Sequence, residues 1–138
     1  MKKIILICSM IAIFATNCKT NEKNADSNDK PLQGTTWQLT HLYCEEIDAP
    51  IITPTLIFNE DGGLSGELGC NTFFGNYNVH KDRVTLNYMG STKKLCNHME
   101  LEKKYATALK DNITQYVIVN NILVLKSKNK EVMRFKAQ

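Results

Sequence analysis

Leu64-Ser65-Gly66-Glu67-Leu68-Gly69-Cys70-Asn71-Thr72-Phe73-Phe74-Gly75-Asn76-Tyr77 places three glycines, a cysteine and three aromatic residues between two strand-like runs. Gly66, Gly69 and Gly75 can take positive φ or let another backbone approach closely. The stretch therefore reads as a strand, a sharp bend or bulge at Gly69-Cys70-Asn71, and a returning strand. A phosphate-cradling loop would need a helix directly after its glycines. Phe73 to Tyr77 is aromatic and strand-like instead, which makes the bend the middle of a small β domain.

Outward from the bend the hydrophobic period is mostly two. Trp37, Leu39, His41 and Tyr43 alternate with Gln38, Thr40 and Leu42, predicting a first strand with its aromatic ends facing inward. After a loop containing Pro50 and Pro54, Thr55 to Phe58 is a second strand, and Asn59 to Gly63 turns it tightly into Leu64 to Leu68. Phe74 to Val79 and Val84 to Tyr88 form the next hairpin around His80-Lys81-Asp82-Arg83, with Ser91 to Leu95 as a further edge strand. Gln115 to Val119, Ile122 to Lys126 and Glu131 to Lys136 close the sheet, turned at Asn120-Asn121 and at Lys128-Asn129-Lys130.

One helix is expected, from Met99 to about Asn112. Asn97 with Glu100 resembles a capping box, and Asn112 suits a left-handed end. Tyr105, Ala106, Leu109 and Ile113 share one apolar stripe, and Glu102 falls on it as well. A carboxylate facing a sheet needs a donor, so Glu102 is expected to be at least partly buried and bonded to the central bend or to Ser91-Thr92. The fold class is α+β: a single domain, residues 32–138, with a curved or barrel-like, mainly antiparallel sheet of about seven to eight strands and one helix before the last three.

The amino terminus carries an address. Lys2 and Lys3 precede an eleven-residue apolar run, Ile4 to Phe14, followed by Ala15-Thr16-Asn17-Cys18. This is the three-part layout of a secretory signal, and eleven residues are too few to span a bilayer. Ala15 to Cys18 resembles a bacterial lipobox, with Asn17 where Gly or Ala is usual, which implies cleavage after residue 17 and lipidation at Cys18. Residues 18–31, almost without apolar side chains and ending at Pro31, read as the lipidated cysteine and a flexible tether. Of the 17 basic side chains, Lys2 and Lys3 leave with the signal, against 14 acidic ones that stay. Such a balance excludes nucleic acid as a partner and a polybasic membrane attachment, so acyl chains on Cys18 are the expected link to the membrane.

At this point the residues carry a resemblance. Gly34-Thr35-Thr36-Trp37-Gln38-Leu39, Leu56-Ile57-Phe58, Leu64-Ser65-Gly66, the block Gly69 to Tyr77, Ser91 to Cys96, Met99 to Glu102 and the last strands resemble the META domain, the HslJ-like family of bacterial envelope proteins. The resemblance implies a secreted or lipid-anchored protein, residence at the outer membrane, links to stress response, motility or antibiotic tolerance, and no defined chemical activity. It marks Gly69, Cys70, Asn71, Gly75, Thr92 and Glu102 as the structural motif. Because Cys70 and Cys96 lie in family-like blocks and Cys44 does not, it also favours a Cys70–Cys96 disulfide that leaves Cys44 as an odd thiol. On the residues alone, Cys44 with Cys70 or with Cys96 stays open. Cys44 and Leu95 are unexplained by the resemblance.

Two chemical readings compete with that bridge. Cys70 or Cys96 with His98 or His80 supplies the residue types of a cysteine nucleophile and its base. Cys70, Cys96, His98 and Met99 supply those of a zinc or copper site. Oxidation in an exported chain outweighs both, so no catalytic residue, metal or cofactor is expected. The leading functional reading is a non-enzymatic envelope lipoprotein that engages another envelope component, an unidentified envelope protein above all. The alternative is an inhibitor of a secreted hydrolase, lysozyme or protease, that uses Asn59–Gly63 or His80–Arg83 as a plug.

Overall fold

The computed structural model describes residues 28–48, 52–97 and 99–138. Nine strands and one helix follow the chain: β1 (Thr36–Leu42), β2 (Glu45–Glu46), β3 (Thr55–Phe58), β4 (Gly63–Glu67), β5 (Thr72–His80), β6 (Arg83–Ser91), α1 (Glu100–Ala108), β7 (Gln115–Val119), β8 (Ile122–Ser127) and β9 (Lys130–Ala137). They form one sheet in the order β6-β5-β4-β3-β1-β9-β8-β7, every neighbouring pair antiparallel. The last strand returns to pair with the first, so Trp37 and Leu39 of β1 lie at the centre of the buried face with Phe58, Leu64, Phe135 and Leu123.

The sheet is open and curved. Its edge strands meet at one corner, where Val84 N–H donates to the Thr114 carbonyl at 3.3 Å and Tyr116 N–H to that of Asp82 at 3.0 Å. Hairpin turns sit where two residues accept positive φ: Asn120 and Asn121 at 54° and 61°, Lys128 and Asn129 at 49° and 66°. A third pair, Tyr43 and Cys44 at 51° and 70°, folds Glu45–Glu46 back on β1 and supplies the short strand beyond the expected count.

Four local expectations are corrected. β1 does not alternate to its end: its pairing with β9 slips between Leu39 and His41, making Thr40 an extra residue whose hydroxyl donates to the Arg134 carbonyl at 3.1 Å. A one-residue bulge reverses parity, so Leu42 is buried while Tyr43 is 47 % exposed. Second, the pairing expected of Ser91–Leu95 stops at Ser91, the end of β6. Third, α1 starts without a side-chain cap: Met99 is the N-cap residue, and Asn97 lies two positions too early for the box. Glu102 holds the third helical position, from which a box glutamate reaches back, but its carboxylate is turned to the bend. At the other end Asn112 is not among the positive-φ residues; the helix tightens through Lys110 N–H to Thr107 O and Asp111 N–H to Ala108 O.

The apolar stripe of α1 fills the hollow of the sheet, with Tyr105, Ala108, Leu109 and Ile113 essentially inaccessible. The Tyr105 ring meets Phe73 edge-on at 6.0 Å, and its hydroxyl donates to the Thr55 carbonyl at 3.0 Å. Burial pushes this phenol well above its ordinary pKa of 10.0. Tyr43 rises to about 12, through partial desolvation first and then through its 2.7 Å hydrogen bond to Asp111 and the charge of that carboxylate. Both folded values exceed the unfolded one, so the neutral phenols contribute stability in full below pH 10.0 and lose it as the pH climbs through their folded values. Tyrosinate absorbance followed with circular dichroism is expected to show the Tyr105 phenolate only as the fold is lost. Titration of all five tyrosines near pH 10.0 in an intact fold refutes this burial.

Candidate functional site

The motif at the centre of the sequence forms a polar node between β4, β5, the segment after β6 and the first turn of α1. Leu68 N–H donates to the Asn71 carbonyl at 2.7 Å, closing a tight loop that Gly69 permits at φ 130°. On the strand side, Gly66 lets the chain pass β3, because a Cβ there would overlap the Thr55 carbonyl. The loop aims two consecutive N–H groups at one acceptor. Cys70 N–H and Asn71 N–H both donate to Glu102 Oε2, at 3.1 and 3.0 Å. Glu102 Oε1 accepts the Asn71 Nδ2 amide at 2.7 Å. The carboxylate, only 8 % exposed, therefore exchanges water for three donors.

Asn71, 1 % exposed, spends both ends of its amide. Its Oδ1 accepts the Thr92 hydroxyl and the Lys94 N–H, each at 2.7 Å, and its Nδ2 also donates to the Lys94 carbonyl at 3.2 Å. Lys94 is thus gripped through both backbone groups, as a neighbouring strand would grip it, which is why residues 92–97 need no strand of their own. Thr92 Oγ1 in turn accepts Thr72 N–H at 3.2 Å. Two residues beyond Lys94, Cys96 forms a disulfide with Cys70, the Cα atoms 6.3 Å apart.

Gly69, Cys70, Asn71, Thr92, Glu102 and Cys96 therefore converge on one node. Gly75 does not: it serves a bulge between β5 and β6, where a Cβ would overlap the Asn87 carbonyl. With Cys70 and Cys96 bonded to each other, neither is a thiolate for attack or for metal ligation. His98 and Cys18 lie outside the described residues. Cys44 is not the free odd thiol expected. Ahead of Pro31 the chain already touches the domain: Asn121 N–H donates to Asp29 Oδ1 at 2.7 Å and Lys30 N–H to Asn121 Oδ1 at 2.8 Å.

Lys94 is the member of the node that sequence reasoning missed, because only its backbone takes part. A cleft of about 340 Å³ between β2 and the start of α1 was equally illegible, since it depends on the positive-φ turn at Tyr43-Cys44. Glu45, Glu46, Asp48, Glu100 and Lys104 line it together with Leu42, Ile47 and Leu101. The loops weighed as inhibitory plugs are short and bonded inward. Asn59 Nδ2 donates to Ser65 Oγ at 3.2 Å, Asp61 Oδ1 accepts Gly63 N–H at 2.8 Å, and Lys81-Asp82 is a two-residue turn.

Among solved structures, an NMR structure of a protein from Burkholderia xenovorans is 20% identical over 88% of this chain and 98% of its own, with a TM-score of 0.60. A crystal structure of a DUF4847 family protein from Bacteroides vulgatus is 17% identical over 76% of this chain and 93% of its own, at a TM-score of 0.56. A second NMR structure, 21% identical, covers 76% of this chain and 90% of its own at 0.59. At these identities the likeness is one of fold. Comparison with curated proteins gives no match. The META domain family model, by contrast, matches residues 30–138, the whole sheet, the helix and the node at the bend, and the chain belongs to the META domain family.

Proposed function

We propose that this chain is an exported, non-enzymatic lipoprotein, held at the outer membrane by acyl chains on Cys18, that engages another envelope component through its rigid sheet. The observation that carries this reading is how the bend spends its chemistry. The Glu102 carboxylate, the Asn71 amide, the Thr92 hydroxyl and both cysteines are bonded to one another or to backbone. Groups used in this way stiffen a scaffold and leave no nucleophile or base facing a substrate. The near balance of 17 basic and 14 acidic side chains favours engagement by surface shape over long-range charge.

Attachment is tested at Cys18. Each methylene of an acyl chain adds about 0.8 kcal/mol of membrane affinity, so two or three chains hold the protein without measurable release. Cys18→Ser is expected to leave a soluble or unprocessed precursor; a fully cleaved variant that still fractionates with membranes removes the lipid from the proposal. Engagement is tested by crosslinking in intact envelopes. One recurrent adduct with an envelope component is expected, and a chain that yields none has no partner to engage.

A further inference from the structure

The outward face of β4, β5 and β6 is untouched by the node. Register places Phe74 beside Gly90 and Asn76 beside Asn87 on this face, while Phe73 and Tyr77 point into the core. Phe74 is 56 % exposed and Met89, the extra residue of the β6 bulge, 61 %. The Phe74 ring is seated on the glycine: a Cβ on Gly90 would lie 3.3 Å from its Cζ. Asn76 Nδ2 reaches Met89 Sδ at 3.8 Å, which orients that amide. Across β4 the row continues from Phe74 through Ser65 to Ile57. The row itself carries no Lys or Arg, and its nearest charge on the same face is Glu67, two residues beyond Ser65 and opposite Thr72.

That composition selects an occupant. Phosphate-bearing polymers and anionic lipid demand clustered Lys or Arg, which the patch lacks. A stable protein interface is centred on several desolvated anchors, whereas here one ring, one thioether and, a strand further off, the half-buried Ile57 stand among amides and a hydroxyl. A pre-seated aromatic ring beside amides that both donate and accept is the complement of a pyranose, which offers an apolar C–H face and a rim of hydroxyls. The geometry points to this face as a binding site for a neutral, hydroxyl-rich polysaccharide chain, with Phe74 as the stacking platform and Asn76 and Asn87 binding hydroxyls. The assignment rests on the reading of the chain as a binding module and names its ligand class.

The test is a titration of the isotope-labelled full chain with neutral hexasaccharides of glucose and of N-acetylglucosamine, read by amide chemical shifts. Saturable shifts confined to residues 74–76 and 87–90 are expected. Phe74→Ala should weaken binding at least tenfold and Asn76→Ala severalfold, with Leu95→Ala, at a 97 % exposed position away from the face, unchanged. Both face residues point outward, so unaltered near-ultraviolet circular dichroism separates lost binding from lost fold. Scattered or unsaturable shifts overturn the assignment, as does self-association through the same residues, which makes a second copy the occupant. A photocrosslinker at position 74 in living cells separates the two levels. Capture of a protein there, without saccharide binding, overturns the ligand class and keeps the binding module. Neither binding nor capture from any sheet position overturns both.

Discussion

Glu102→Leu is expected to destabilise the domain by about 4 kcal/mol, and Glu102→Gln by about half as much. Leucine strands three donors at once: the N–H groups of Cys70 and Asn71 and the Asn71 side-chain amide. These face a site from which water is largely excluded, where each unpaired polar group costs about 1–3 kcal/mol. Glutamine keeps one oxygen for the two backbone donors and loses the third bond, because its NH2 group meets the NH2 of Asn71. Asn71 has no relief in flipping, since its Oδ1 already accepts from Thr92 and Lys94. Urea titration of the three proteins at neutral pH decides the matter. Small, equal shifts in midpoint would mean that Glu102 is not the acceptor that organises the bend.

Removal of the Cys70–Cys96 bridge is the second large effect. The cysteines are 26 residues apart, and opening a loop of this length is expected to cost about 3.5 kcal/mol in the chain-entropy account, or roughly 15 °C in Tm for a domain of this size. The native state should nevertheless keep its shape, because Asn71 holds Lys94 through both backbone groups independently of sulfur. Cys96→Ser is therefore expected to show a much lower Tm with an unchanged near-ultraviolet spectrum at 25 °C. Peptide mapping of the exported protein without reduction should recover Cys70 and Cys96 in one linked peptide. Their recovery as free thiols would refute the bridge and return the catalytic and metal readings to contention.

Much of this architecture is legible along the chain because the signals are local. Alternation over four to eight residues found the strands, and Asn120-Asn121 and Lys128-Asn129 announced their turns by accepting positive φ. The stripe of Tyr105, Leu109 and Ile113 found the helix and placed Glu102 on its buried side. The failures share a cause. The β1 bulge at Thr40 exists because β9 lies beside it, the capping box of Asn97 with Glu100 is lost because the helix starts from Met99 and brings Glu102 to the bend, and the strand expected after β6 is replaced by the Asn71 side chain.

The sequence by itself determined the α+β class, the bend at Gly69-Cys70-Asn71 and the need of Glu102 for a donor, since propensity, periodicity and desolvation act on a residue and its near neighbours. Only the tertiary structure decided which donors answer. Asn71 meets Lys94 across 23 residues and Glu102 across 31, and such separations are closed by the pairing of β5 with β6 and the packing of α1 on the sheet, which no local preference encodes.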